Sequence, residues 1–214
     1  MLTVQFFTFN AFQENTYIIY AANGEAIIVD PGCSSAAENS TLLHFVKQHN
    51  LKVVQLINTH CHIDHVLGND FIATTYGLEL FLHPNEEQML LLSPQAAKIY
   101  SIPLTPYKGP LHFLKGGDVV TLGSEELKVL DAPGHSPGSI CLYSKAGSFI
   151  IAGDVLFKEG IGRTDLPGGN HQVLIDSIKT QLFTLPEAVE VYPGHGPTTT
   201  IGHEKQYNPF LQNS

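Results

Sequence analysis

Short apolar runs separated by turn residues recur along the whole chain and predict an α/β protein. Runs rich in β-branched and aromatic residues predict strands at residues 2–9, 16–20, 25–30, 53–58, 79–82, 111–114, 119–122, 126–130, 140–144, 149–152 and 189–192. Apolar residues at helical spacing predict helices at residues 35–49, 66–76, 84–92, 94–101, 170–183 and 202–211. Strand runs followed by helices, twice over, favour two sheets face to face with helices outside. This is a four-layer αββα sandwich.

Residues that favour helix caps and loops define the ends of these elements. Ser35 can cap the first helix, and Ser93, followed by Pro94, is expected to cap the fourth. Residues 102–110 hold three prolines and are predicted to form a loop. Because the chain contains no low-complexity linker, we expect residues 1–214 to form a single domain.

Composition narrows the function classes. Hydrophobic residues make up 43% of the chain and charged residues 14%, and the net charge is −9, which argues against a nucleic-acid partner. The amino terminus lacks the features of a signal peptide, and no apolar run approaches the ~18 residues of a membrane span, so no membrane association is expected. The three cysteines, Cys33, Cys61 and Cys141, form no CxxC pair. A disulfide framework is therefore not expected, and a reducing cytoplasm is the predicted location.

The densest group of metal-binding residue types is the heptapeptide THCHIDH at residues 59–65, between a strand run and a helix run. Its imidazoles and carboxylate belong to His60, His62, Asp64 and His65. Three histidines and an aspartate in so short a turn require something that neutralises and orders them. Imidazole and carboxylate are ligands of zinc, iron and manganese, so the heptapeptide predicts a metal site.

Three further ligand-type residues, each preceded by glycine, directly follow their own β-type runs: His135, Asp154 and His195. Ligands delivered from several strand ends can converge at one edge of a sandwich. Asp154 alone would be interpreted as a turn or cap residue, and its place among the other segments favours a ligand. The set suffices for two adjacent metals, which points to hydrolysis, because a metal lowers the pKa of bound water to about 7.

The alternating directions of side chains in an extended segment separate the heptapeptide residues into two sets. His60 and His62 point the same way in an extended stretch and can face one metal, whereas Cys61 faces away and is expected to support the site or the core. Asp64 and His65 turn into the following helix and can reach a second metal. Asp64 is also the predicted catalytic residue, because it can orient the attacking hydroxide while remaining a ligand.

Two further residues carry alternative interpretations. Asp30 ends a strand before Pro-Gly, where it either caps the turn or accepts the second N–H of a ligand imidazole. Arg163 lies among glycines in residues 162–169, shortly after Asp154, where it either contacts a substrate carboxylate or belongs to a structural turn.

The pattern HxHxDH, Gly-His, Gly-Asp, Gly-His resembles the metallo-β-lactamase superfamily over nearly the whole chain. The sequence GRTDLPGG at residues 162–169 and the amino-terminal ENTY and VDPG are similar to the glyoxalase II-like hydrolases. This resemblance implies two divalent metal ions, with zinc favoured over iron or manganese. It further implies one metal on His60, His62 and His135, the other on Asp64, His65 and His195, and Asp154 bridging both.

The resemblance implies a thioesterase that acts on small molecules such as S-D-lactoylglutathione through a hydroxide bridging the metals. The helical carboxy-terminal extension that carries glutathione contacts in glyoxalase II enzymes is not expected here, and Thr164 and Asp165 replace an aromatic residue near Arg163. Three alternatives stay open: a persulfide dioxygenase with one iron on a subset such as His60, His135 and Asp154, a lactonase, and a non-catalytic metal-stabilised module. The oligomeric state is not predicted.

Overall fold

A computed structural model describes residues 1–212 and divides them into two compact units. The first unit comprises Met1–Leu114 and Thr121–Glu125, and the second comprises Lys115–Val120 and residues 126–212. Residues 213 and 214, the end of the predicted domain, lie outside the described residues. The single domain over residues 1–214 stays a prediction.

The first unit is built on a six-stranded mixed sheet whose strands follow the chain order. The strands are β1 (Thr3–Phe9), β2 (Glu14–Tyr20), β3 (Glu25–Val29), β4 (Lys52–Ile57), β5 (Leu80–Leu82) and β6 (Leu111–Phe113). The pairs β1–β2 and β2–β3 are antiparallel, and the later pairs are parallel. Strand β3 is fully buried at Ile27, Ile28 and Val29. Burying one such side chain contributes roughly 1.5–3 kcal/mol, so β3 and its neighbours form a rigid base for the turns at their ends.

Another six-stranded sheet, ordered β14-β13-β10-β9-β8-β7, and a two-stranded ribbon are built mainly from the second unit. The sheet strands are β7 (Val119–Leu122), β8 (Glu125–Asp131), β9 (Ile140–Ser144), β10 (Phe149–Gly153), β13 (Glu190–Pro193) and β14 (Thr199–Thr200). The ribbon consists of β11 (Leu156–Phe157) and β12 (Gly160–Ile161). Sequence patterning missed β11, β12 and β14, because a two-residue strand is too short to show alternation.

Each unit also contains helices. They are α1 (Ala36–Gln48), α2 (Ile63–Val66), α3 (Asn69–Tyr76), α4 (Glu87–Tyr100), α5 (His171–Ser177) and α6 (Ile201–Tyr207). As predicted, Ser35 caps α1, forming a capping box with Glu38. Helix α5 continues into a π-helical turn, Ile178–Leu182, and so fills the segment predicted as residues 170–183. No helix within residues 1–212 is long and apolar enough to cross a membrane.

Two of the helix predictions are wrong in detail. The helices predicted at residues 84–92 and 94–101 are one continuous helix, α4, preceded by a single 3₁₀ turn, Pro84–Glu86. Ser93 is therefore not a cap but a buried residue inside α4. Proline at position 94 removes one backbone hydrogen bond. The helix continues because Leu90, Ser93 and Ala97 bury one continuous face.

The helix predicted at residues 66–76 is also interrupted. Helix α2 ends at Val66 and α3 begins at Asn69, with Gly68 between them. The Gly68 N–H donates to the carbonyl of Pro31 at 2.7 Å, and a Cβ at Gly68 would lie only 2.8 Å from that oxygen. This close approach of two backbones breaks the helix, and only glycine permits it.

Candidate metal centre

The heptapeptide of the first unit connects β4 to α2. The rings of His60 and His62 lie nearly perpendicular to each other with centroids 4.9 Å apart. Cys61 between them is 2% exposed and belongs to the hydrophobic core of the unit. The turn therefore places the histidines on one side and the thiol on the other. His62 is the N-cap residue of α2, and Asp64 and His65 lie within that short helix.

Asp30 lies beneath this turn and organises two of its histidines. Its Oδ2 atom is 3.2 Å from Nδ1 of His65 and accepts the Thr59 hydroxyl at 2.5 Å, and its Oδ1 atom accepts the Thr59 N–H at 2.7 Å. The same hydroxyl oxygen lies 3.2 Å from Nδ1 of His60. In the tautomers in which both Nδ1 atoms donate, Nε2 of His60 and of His65 carries the lone pair that can bind a metal. Ligand atoms of Asp30, His60 and His65 lie within 4.8 Å of one another.

Side chains from other segments also fix the backbone of the turn. Nδ2 of Asn10 donates to the carbonyl of Asp64 at 3.1 Å. Nδ2 of Asn58 donates to the carbonyl of His65 at 3.0 Å, and Asn69 donates to Oδ1 of Asn58 at 2.7 Å. Asn58 and Asn69 are at most 2% exposed. The sequence analysis did not identify these asparagines, because single asparagines form no motif.

Two buried glutamates complete the surroundings of the turn, and the sequence analysis assigned neither. Glu14 is fully buried, with Oε1 3.9 Å from Nδ1 of His65, and burial raises the pKa of its carboxyl well above its usual value. Glu86 is fully buried as well, and its Oε2 accepts the N–H of Cys61 at 2.7 Å. The turn is thus held by hydrogen bonds from several sides.

The second unit presents its ligand-type residues from three strand ends. His135 follows β8, Asp154 follows β10, and His195 follows β13. Oδ2 of Asp154 lies 3.5 Å from Nε2 of His135 and 3.5 Å from Nε2 of His195. One carboxylate oxygen therefore stands beside two imidazole nitrogens at equal distances, as expected of a carboxylate that can serve two cations.

Glycine-containing turns make this convergence possible. Gly153 has φ +50° and occupies a register shift between β10 and β13, which redirects the chain just before Asp154. Gly162 packs so closely that an added Cβ would collide with the carbonyl oxygen of Asp154 and approach the His135 ring to 3.0 Å. The carbonyl of Arg163 lies 2.7 Å from Nδ1 of His135, so this Nδ1 donates and Nε2 is directed to Asp154.

The side chain of Arg163 does not point to these ligands. Its guanidinium donates to both carboxylate oxygens of Asp165, at 2.7 and 2.6 Å. The side chains are 58% and 67% exposed, and the pair lowers the pKa of Asp165 to about 2. A substrate carboxylate at Arg163 would have to share or displace Asp165.

Comparison with known proteins identifies the family. The sequence profile of the metallo-beta-lactamase superfamily matches residues 9–195, which include every proposed ligand. The chain belongs to this superfamily. Curated relatives include the probable metallo-hydrolase YqgX of Bacillus subtilis, 36% identical over 201 residues, covering 93% of this chain and 92% of the relative. The hydroxyacylglutathione hydrolase GloC of Haemophilus influenzae is 33% identical over 212 residues and covers 98% of both chains.

Solved structures of similar proteins confirm the fold. The B3 metallo-beta-lactamase BLEG-1 superposes with a TM-score of 0.90 at 35% identity and covers 99% of this chain and 100% of its own. TTHA1623 in a di-iron-bound form gives a TM-score of 0.87 at 33% identity and covers 97% and 100%. The predicted metallo-β-lactamase fold is therefore correct, and the chain is a member of a metallo-hydrolase superfamily with histidine and aspartate clusters suited to metal.

Proposed function

We propose that this protein is a binuclear metal-dependent thioesterase of the glyoxalase II type. The observation that carries the proposal is the position of Asp154, whose Oδ2 atom lies 3.5 Å from Nε2 of His135 and 3.5 Å from Nε2 of His195. The likeness to GloC, named a hydroxyacylglutathione hydrolase, supports the reaction type.

The donor chemistry fits a pair of divalent metals. We assign His60, His62 and His135 to one ion, Asp64, His65 and His195 to the other, and Asp154 to both. Mixed imidazole and carboxylate donors suit zinc, iron and manganese, of which zinc is our first choice. When bound, such a pair supplies Lewis acidity and water of lowered pKa at neutral pH.

The residues of the chain orient this chemistry. Asp30 and the carbonyl of Arg163 each fix the tautomer of a ligand histidine, which keeps its Nε2 as the donor. Asp64 is 9% exposed and, besides serving as a ligand, would accept a hydrogen bond from the attacking water. Such positioning lowers the entropic part of the barrier before any bond breaks.

Covalent catalysis through cysteine is not part of the proposal. All three cysteines are buried thiols. Burial raises the pKa of Cys33 to about 12 and shifts the pKa of Cys61 and Cys141 upward as well. Such thiols stay protonated and are poor nucleophiles at neutral pH. Direct attack by water suits a thioester, because its thiolate leaving group needs no strong general acid.

We further propose a small-molecule thioester as the substrate, with neither nucleic acid nor membrane as a partner. Cysteine usage is the basis for proposing a cytoplasmic location. A second candidate function is β-lactam hydrolysis, which the likeness to BLEG-1 over the full chain favours. A lactonase, a persulfide dioxygenase and a non-catalytic metal-stabilised module are the remaining alternatives.

Steady-state assays of metal-loaded protein test the proposal. The substrates are S-D-lactoylglutathione, a chromogenic cephalosporin, an acyl-homoserine lactone, and glutathione persulfide with oxygen uptake recorded. We expect the highest kcat/KM with the thioester. A higher kcat/KM with the cephalosporin would favour the second candidate, and oxygen uptake without thioester hydrolysis would contradict the thioesterase.

A further inference from the structure

Glu86 is distant in sequence from the heptapeptide at residues 59–65 but contacts its backbone. It lies at the junction of the 3₁₀ turn Pro84–Glu86 and α4, and its side chain is fully buried. Its Oε2 atom accepts the N–H of Cys61 at 2.7 Å. We propose that Glu86 is a positioning residue that sets metal affinity by fixing Cys61, and with it His60 and His62. This inference rests on the ligand assignment in the proposed function.

Cys61 is the point where such a contact has the largest effect. It lies between β4 and α2, in a segment with no regular secondary structure, and each of its two neighbours is an assigned ligand. Moving its amide would turn the peptide planes of His60 and His62 together. The side-chain oxygen of Glu86, 2.7 Å from this buried N–H, restrains the peptide plane. The contact therefore reduces the conformations of both ligands before metal arrives.

The segment that carries Glu86 is itself well fixed. The N–H of Glu86 donates to the carbonyl of His83 at 2.9 Å, and Nδ1 of His83 accepts the N–H of Asn85 at 3.1 Å. Pro84 restricts φ at the start of the turn. Since β5 and α4 hold the two ends of this turn, the carboxylate is presented from a rigid position.

Three variants of the full-length protein test the inference. Glu86→Ala removes the acceptor, Glu86→Gln keeps an amide oxygen of the same reach, and Glu87→Ala removes an adjacent, exposed carboxylate as a matched control. Two readouts are needed. One is zinc affinity from competition with a chromogenic chelator. The other is the labelling rate of each cysteine in metal-free protein, measured by peptide mass spectrometry.

We expect Glu86→Ala to lower zinc affinity by about 10- to 100-fold. Substitution of a residue that orients metal ligands has an effect of this size in other metalloproteins. Labelling of Cys61 should accelerate by about tenfold or more, while Cys141, buried in the second unit, keeps its wild-type rate. Glu86→Gln should retain most of the affinity, and Glu87→Ala should match wild type.

Wild-type zinc affinity in Glu86→Ala, or equal acceleration at Cys61 and Cys141, would overturn the inference, because the latter indicates general loss of the fold. The two proposals fail separately. Intact zinc binding without thioester hydrolysis contradicts only the thioesterase, whereas the Cys61 labelling rate tests the hold of Glu86 without any substrate.

Discussion

The two units position their ligand-type residues by opposite means. The first concentrates four of them in one turn and holds that turn with added side chains, among them Asp30, Asn58 and Glu86. The second brings single residues from three strand ends and positions them where side chains are missing, at Gly153 and Gly162. The first arrangement should therefore be sensitive to the loss of a polar group, and the second to the gain of a methyl group.

The largest effect is expected where the second unit depends on one atom. Asp154→Ala removes the oxygen beside both imidazoles, so it should abolish turnover and lower metal affinity by more than about 100-fold. This loss is larger than that caused by removing a residue that only orients a metal ligand. Metal analysis and steady-state kinetics measure this. Asp176→Ala, which alters an exposed aspartate on α5, is the control and should behave as wild type. Full activity of Asp154→Ala would contradict its assignment as the bridging ligand.

A smaller effect should follow when the second unit gains a methyl group. Gly162→Ala would force Cβ against the carbonyl of Asp154 and towards His135, so the two ligands must shift. We expect metal affinity to fall by about 10- to 100-fold. Gly160→Ala on β12 is the matched control, since its nearest neighbour would be 3.5 Å away. Similar chelator-competition curves for both variants would mean that the glycine contact does not control the site.

The corresponding change in the first unit alters one polar atom without changing shape. Asn58→Asp replaces a donor with an oxygen that faces the carbonyl of His65 and the carboxylate of Asp30. Leaving a buried acceptor unsatisfied costs about 1–3 kcal/mol, so the free energy of unfolding should fall by roughly this amount. Urea denaturation measures the loss. Asn50→Asp, at an exposed turn, should be neutral, and an equal loss in both variants would contradict the role of Asn58.

The smallest effect concerns the exposed pair in the second unit. If Arg163 binds a substrate carboxylate, Asp165→Asn should free its guanidinium and lower KM by about two- to threefold, since exposed ion pairs contribute little. Arg163→Ala should instead raise KM more than it lowers kcat. Steady-state kinetics at pH 7 measures both effects. Asp165 is charged at this pH, because its pKa is about 2. Unchanged KM in both variants would assign the pair to the loop structure alone.

The same contrast explains what could be read from the sequence. The ligand-type residues follow strand runs at visible spacing, and the superfamily pattern could be recognised from them. Asn58 and Glu86 could not be assigned, because each acts through hydrogen bonds to residues that no sequence motif links to it. The continuous helix across Pro94 was missed for a similar reason, since a buried face outweighs a local helix breaker.

The proposed function depends on the binding of two metal ions per chain by the seven ligand-type residues. Native mass spectrometry of metal-free protein titrated with zinc tests it most directly. We expect wild type to gain the mass of two zinc ions and Asp154→Ala to lose bound zinc. Saturation of wild type with a single ion, or two ions retained in Asp154→Ala, would contradict it.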